Sequence, residues 1–129
     1  MEFTMKFLLG TDIVDISRVK KLCRTSSFTD RTFSKAERDM FESKGKNMFQ
    51  TVAGNFCAKE ACIKAISSIV EECSFKEIEV LRKKSGKPFI RFNGRLTPLN
   101  EQLSSQVSIS HTDSMATATV ILWKKSKVK

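Results

Sequence analysis

Asn47 to Ile69 reads NMFQTVAGNFCAKEACIKAISSI, and within it Phe56-Cys57-Ala58-Lys59-Glu60-Ala61-Cys62-Ile63-Lys64-Ala65 decides the fold. Phe49, Val52, Ala53, Phe56, Ile63 and Val70 fall on one stripe at helical periodicity. The segment is therefore predicted as a long helix that buries this stripe. Glu60 breaks the pattern. It lies within about 40° of Phe56 and Phe49 on the helical wheel, near the middle of the apolar face.

Upstream, Ser34-Lys35-Ala36-Glu37 reads as a capping box that opens a helix from Lys35 to about Ser43, with Gly45 as its stop. Ser26 to Arg31 reads as a polar connection, and Arg18 to about Cys23 as a short basic helix opened by Ser17. Met5–Ile16 (MKFLLGTDIVDI) has the composition of a buried strand. Downstream, Phe75 to Leu81 alternates as a strand, Ser85-Gly86-Lys87-Pro88 is a turn, and Phe89 to Phe92 a short return strand. Arg95 to Leu103 suits a helix interrupted by Pro98. Gln106 to Ser110 and Ala116 to Trp123 form a final antiparallel pair joined through Thr112-Asp113-Ser114. This mixed order predicts an α+β class, an antiparallel sheet packed against a long helix. At 129 residues, the expectation is one domain over 1–129.

Composition narrows the function. No apolar run approaches a membrane span, and Phe7-Leu8-Leu9 is too short for a secretory core before Asp12. Cys23, Cys57, Cys62 and Cys73 have no CxxC spacing, which predicts reduced, mostly buried thiols in a cytoplasmic protein. The net charge of +9, from 23 Lys and Arg against 14 Asp and Glu, points to a polyanionic partner: nucleic acid, a phosphorylated small molecule or an acidic protein. The tail Lys124-Lys125-Ser126-Lys127-Val128-Lys129 reads as a frayed end and is discounted as a site.

Two acids sit at apolar positions. Asp12 shares a strand face with Leu8, Gly10 and Val14, and Glu60 sits on the helix stripe. A buried carboxylate without a partner loses several kcal/mol or its charge, so each needs a cation. One reading is a salt bridge with a lysine. The other is convergence of Asp12 and Glu60 on one divalent cation. Lys64, one turn past Glu60, shares that mouth, while Lys59 reads as an ordinary surface lysine. His111 is the only histidine, which argues against zinc and against a Ser/His/Asp triad. Neither G-x-x-x-x-G-K-S/T nor G-x-G-x-x-G occurs.

Gly10-Thr11-Asp12-Ile13-Val14, Phe33-Ser34-Lys35-Ala36-Glu37, the Phe56–Ala65 block, Gly86-Lys87-Pro88 and Val107-Ser108-Ile109-Ser110-His111, in that order, resemble the motifs of the small phosphopantetheinyl transferases. The likeness is greatest to the holo-acyl-carrier-protein synthase group and spans about Lys6 to Trp123. It implies the 4′-phosphopantetheinyl transferase-like fold and transfer of the 4′-phosphopantetheine arm of coenzyme A to a serine of apo acyl carrier protein, with release of adenosine 3′,5′-bisphosphate, in fatty acid biosynthesis. It implies Asp12 and Glu60 as Mg²⁺ ligands and Lys64 as the phosphate-contacting lysine. His111 and the Gly86-Lys87-Pro88 turn would lie near the nucleotide end of coenzyme A. The resemblance further implies a homotrimer with sites between subunits, and an acidic carrier docking on Arg18, Lys21, Leu22 and Arg24, with Phe28 beyond. The base for the serine proton is either Glu60 or a metal-bound water. Asn47 and Asn55 stand where many family members carry phosphate-binding arginines, and Lys46 is the candidate replacement. The alternative is a basic nucleic-acid-binding domain. It leaves Asp12 and Glu60 unexplained and has no motif in support.

Overall fold

The structure of the chain, a computed structural model, describes residues 6–25 and 27–126. In order it forms β1 (Phe7–Asp15), α1 (Ile16–Leu22), α2 (Phe28–Thr32), α3 (Lys35–Glu42), α4 (Met48–Ile66), β2 (Ile78–Arg82), β3 (Pro88–Phe92), α5 (Leu99–Gln102), β4 (Leu103–His111) and β5 (Met115–Lys124). Short 3₁₀ turns lie at Gly45–Asn47, Phe75–Glu77 and Gly94–Leu96. One antiparallel sheet has the order β1-β5-β4, and β2-β3 is a separate hairpin. Both pack against α4, as the α+β expectation requires. Among the described residues no helix is long and apolar enough to cross a membrane.

The sheet approaches α4 closely because the residues between them are small. β5 turns Ala116, Ala118, Val120 and Leu122 inward, and β1 turns Gly10 and Val14. The helix answers with Ala53, Gly54, Cys57, Ala58, Ala61, Cys62 and Ala65, all buried. At Gly10 the backbones nearly touch: a Cβ built there would lie 1.8 Å from the Ala61 carbonyl oxygen. This overturns the expected stripe in part. Val52 and Ala53 are buried, but Phe49, Phe56, Ile63 and Val70 only line the rim of the core. Bulk marks the periphery of this helix, because only small side chains admit the sheet.

Other expectations are corrected. The segment through Arg31 is not a polar connection but contains α2, whose Phe28 is 4% exposed. Its ring packs 6.0 Å from Phe33 and 5.7 Å from Phe56, so Phe28 belongs to the core rather than to a docking surface. The strand expected from Phe75 opens instead as a 3₁₀ turn closed by a Ser74–Glu77 capping box. Lys124 and Lys125 are not frayed. Lys124 pairs with Leu103, while Lys125 donates its backbone N–H to Gln102 O at 2.9 Å and its ammonium to Asn100 O at 2.7 Å. Met5, Ser26 and residues 127–129 lie outside the described residues. The Ser34–Glu37 capping box is present in both directions, and the four cysteines are free thiols.

Gly10→Ala is expected to lose at least about 3 kcal/mol, because a rigid backbone oxygen occupies the new atom's place. Ser108→Ala, on the exposed face of β4, should stay within about 0.5 kcal/mol. Urea unfolding midpoints of the two variants check this.

Candidate active site

The register of β1 and the pitch of α4 bring distant residues to one mouth. Asp12 lies opposite Ala118 of β5 and faces the helix. Lys64 donates from Nζ to Asp12 Oδ1 at 3.2 Å and to the Thr11 carbonyl at 3.0 Å. Its side chain remains 55% exposed, against 19% for Asp12. Glu60 is half-buried beside them. Burial raises its carboxyl above the ordinary range, and the Asp12 charge adds to this, while Lys64 and Arg18 of α1 oppose it. The expected salt bridge is therefore real, but it joins Lys64 to Asp12 rather than to Glu60.

Cys57 lines the floor beneath these acids. Its thiol lies 3.4 Å from the Ala116 carbonyl, which it meets as donor. Burial, then the Asp12 and Glu60 charges, push it up to about 12. It stays protonated and is no nucleophile.

The donor set fits Mg²⁺. Asp12 and Glu60 offer hard carboxylate oxygens that repel one another, a repulsion that a divalent cation would relieve. Among the described residues no group of three or more His, Cys, Asp or Glu gathers to enclose a metal. A cation here would complete its shell with water or substrate oxygens, as Mg²⁺ does and structural zinc does not.

A second basic region lies along the N-terminal half of α4. A groove of about 360 Å³ is lined by Lys44, Asn47, Gly54, Arg82, Pro88 and His111, with Gly86 of the turn. His111 and, from the turn, Gly86 and Pro88 line this groove together. Gly86 adopts a φ of 89°, which the turn requires. His111 Nδ1 lies 3.1 Å from the Thr112 carbonyl, which only accepts, so this nitrogen carries the hydrogen. The side chains of Lys46 and Lys87 are exposed and are not among the lining residues. Lys44 and Arg82 supply the cations there instead, and sequence reasoning missed both.

The largest correction concerns Lys59 and Asn55. Lys59 is not a surface lysine. It is fully buried, 2.7 Å from Glu37 Oε1, whose side chain is also fully buried. Its ammonium also donates to the carbonyls of Phe75, at 2.8 Å, and of Ile78. Glu37 accepts further from Ser34 N at 3.1 Å, Val80 N at 3.2 Å and Asn55 Nδ2 at 3.1 Å. Burial pushes the Glu37 carboxyl up and the Lys59 amine down, and each partner's charge opposes the shift. Asn55 is thus a member of this internal network and lies at no phosphate site. Arg18, Lys21 and Arg24 are exposed, and Leu22 is half-buried.

The chain matches the family model of the 4′-phosphopantetheinyl transferase superfamily over residues 8–120. It is 39% identical to a holo-[acyl-carrier-protein] synthase of Clostridium perfringens, covering 88% of this chain and 91% of the relative. To the corresponding synthase of Alkaliphilus oremlandii it is 34% identical, over 88% and 95%. Among solved structures it resembles a holo-(acyl-carrier-protein) synthase from Bacillus anthracis in complex with CoA (3′,5′-ADP), at a TM-score of 0.76 and 32% identity, covering 92% and 96% of the two chains. The Helicobacter pylori synthase in complex with coenzyme A gives a TM-score of 0.73 at 30% identity, covering 89% and 99%.

Lys59→Met is expected to lose about 3–5 kcal/mol, since it strands the Glu37 charge in the core. Glu37→Met combined with Lys59→Met should recover much of that loss. A double-mutant cycle by urea unfolding measures the coupling.

Proposed function

Because the chain belongs to the 4′-phosphopantetheinyl transferase superfamily, we propose that it moves the 4′-phosphopantetheine arm of coenzyme A onto a serine of an apo acyl carrier protein, with Mg²⁺ as cofactor and adenosine 3′,5′-bisphosphate as the second product. The observation that carries this reading is the convergence of Asp12, Glu60 and Lys64 on one mouth from two distant segments. Relatives solved with coenzyme A bound support the donor.

In the reaction, the serine hydroxyl oxygen bonds to the β-phosphorus and the bond from that phosphorus to the bridging oxygen breaks. Asp12 and Glu60 would hold Mg²⁺, which when bound neutralises charge on the diphosphate oxygens. The Lys64 ammonium, held by Asp12 and the Thr11 carbonyl on a side chain that is 55% exposed, has a remaining N–H to meet the developing phosphoryl charge. Glu60, at the same mouth, offers a carboxylate oxygen as acceptor for the hydroxyl proton. His111 and the Gly86–Pro88 turn flank the nucleotide end.

The partners follow from two surfaces. α1 carries Arg18 and Lys21 outward, Arg24 is exposed in the turn that follows it, and Arg18 is close enough for its charge to act on Glu60. An acidic carrier held on this helix presents its serine to the acids, and opposite charge speeds the encounter. The outward face of the β1-β5-β4 sheet exposes Phe7 at 54%, Leu9 at 65% and Ile13 at 62%. Exposed apolar side chains on this face, interrupted by Thr11, suit association of copies of this chain, as a homotrimer with sites near the joints requires. Against the nucleic-acid alternative, Phe28, Phe33, Phe41 and Phe92 are buried and Phe56 stacks on Phe75, so these rings offer bases no platform.

Incubation with coenzyme A, Mg²⁺ and apo carrier, read by mass spectrometry of the carrier, tests the activity. A carrier that gains no phosphopantetheine removes the proposal. Glu60→Gln and Asp12→Asn should each lower kcat about a hundredfold or more while keeping the native unfolding midpoint within about 1 kcal/mol. Full activity in either variant refutes the ligand assignment. By light scattering the wild type should have the mass of three chains, and Ile13→Glu, which places a charge on the exposed sheet face, a smaller one. A wild-type mass of one chain overturns the trimer.

A further inference from the structure

α4 ends at Ile66, but the sheet beneath it runs on. Gly10 lies under Ala61, and the next inward residue of β1, Leu8, reaches past the helix end. There it meets Ile69 of the following turn, Leu103 at the start of β4, and Trp123 near the end of β5. These four side chains wall a cleft of about 400 Å³, a volume typical of small-molecule sites. Leu8, Leu103 and Trp123 are half-buried and Ile69 is 52% exposed, so the apolar walls open to solvent. An adjoining hollow of about 370 Å³ shares Leu103 and Trp123 and carries the lining on to Ile90 and Phe92 of the hairpin. The cleft is remote from the transferase mouth. Leu103 and His111 are the two ends of β4, about 27 Å apart along an extended strand.

The charges on its rim have one sign. Lys6, Lys124 and Lys125 line the cleft, and no carboxylate does. Glu101 borders the next hollow beside Lys124 and Lys125. Among the described residues, no ion pair engages any of the three lysines. Lys125 is fixed by its 2.7 Å hydrogen bond to Asn100 O, and its ammonium retains further N–H donors. A wholly apolar ligand would leave these cations idle, and a polyanion would have no use for the walls. The ligand that satisfies both has one aliphatic chain and one anionic head. We propose that this cleft binds a free fatty carboxylate, with the chain along Leu8, Ile69, Leu103 and Trp123 and the carboxylate among the three ammonium groups.

Trp123 is the only tryptophan of the chain, so its fluorescence reports on the wall directly. Titration of the full chain with dodecanoate, below its micellar concentration, should shift this emission and saturate. Dodecyltrimethylammonium, which the rim repels, should bind about fivefold more weakly or worse. Lys6→Gln combined with Lys124→Gln should weaken dodecanoate about fivefold and leave dodecanol unchanged. Ile69→Glu, at an exposed position, should keep the wild-type urea midpoint and weaken dodecanoate about tenfold or more. Equal binding of the cationic amphiphile overturns the proposal, as does wild-type affinity for dodecanoate in both variants or the same shift with inorganic phosphate alone. A shift with vesicles of anionic phospholipid but none with dodecanoate assigns the cleft to a membrane surface. A lower light-scattering mass for Ile69→Glu assigns it to a joint between copies of the chain. Either of these results also overturns the fatty carboxylate.

Discussion

The buried ion pair between Glu37 and Lys59 is the constraint on which the placement of α4 depends. Two charges with no exposure are tolerated only when nearly every hydrogen-bonding position is filled. Here the carboxylate meets Lys59, two backbone N–H groups and an amide, while the ammonium reaches two carbonyls as well. The partners belong to the cap of α3, to β2 and to the 3₁₀ turn before it. Rotating α4 by even a fraction of a turn would withdraw Lys59 from all of them. These directional contacts tie the azimuth of Glu60, the next residue, to the core.

Rotation alone does not bring Glu60 to Asp12. The distance between the sheet and the helix must also be small, and the Gly10–Ala61 crossing sets it. With Gly10 beneath the helix backbone, the two-residue alternation of β1 turns Asp12 inward on the same face, one pleat further along. Lys64 then reaches the Thr11 carbonyl and the Asp12 carboxylate together. Two packing facts, one ionic and one steric, thus generate the acid pair. Neither involves the groups that do the chemistry.

Much of this was legible in the sequence. The alternation around Asp12, the Ser34–Glu37 box and the Ser85–Pro88 turn are local codes, and each appears where its residues predict. Glu60 was found because a carboxylate at an apolar position demands a partner. What stayed hidden is tertiary. Lysine on a helix reads as solvated, and only the approach of Glu37, at a large sequence distance, reveals that Lys59 points inward. The apolar stripe misled for a related reason, since the large side chains mark the rim of α4 and the alanines its true contact with the sheet. Phe28 sits among polar neighbours, so its burial beneath Phe33 and Phe56 carried no local signal. Lys44 and Arg82 belong to segments with no pattern in common, and they meet only once the hairpin folds over the start of α4.

The net charge of +9 now resolves into separate tasks. Lys59 spends its charge inside the core, invisible to any partner. Lys64 is bound at one side to Asp12 and presents the remainder of its ammonium outward. Arg82 and Lys44 sit in the groove, and Arg18, Lys21 and Arg24 face solvent beside the mouth. A single diffuse basic surface would attract any polyanion equally. Dividing the cations among a mouth, a groove and a helix, with two acids between them, favours an anion whose charges are spaced to match, and excludes a phosphate from the one point where the acids stand unless a metal ion lies between. Composition therefore explains why this chain meets anions at all, but the discrimination among them comes from where α4, the hairpin and α1 place each positive charge.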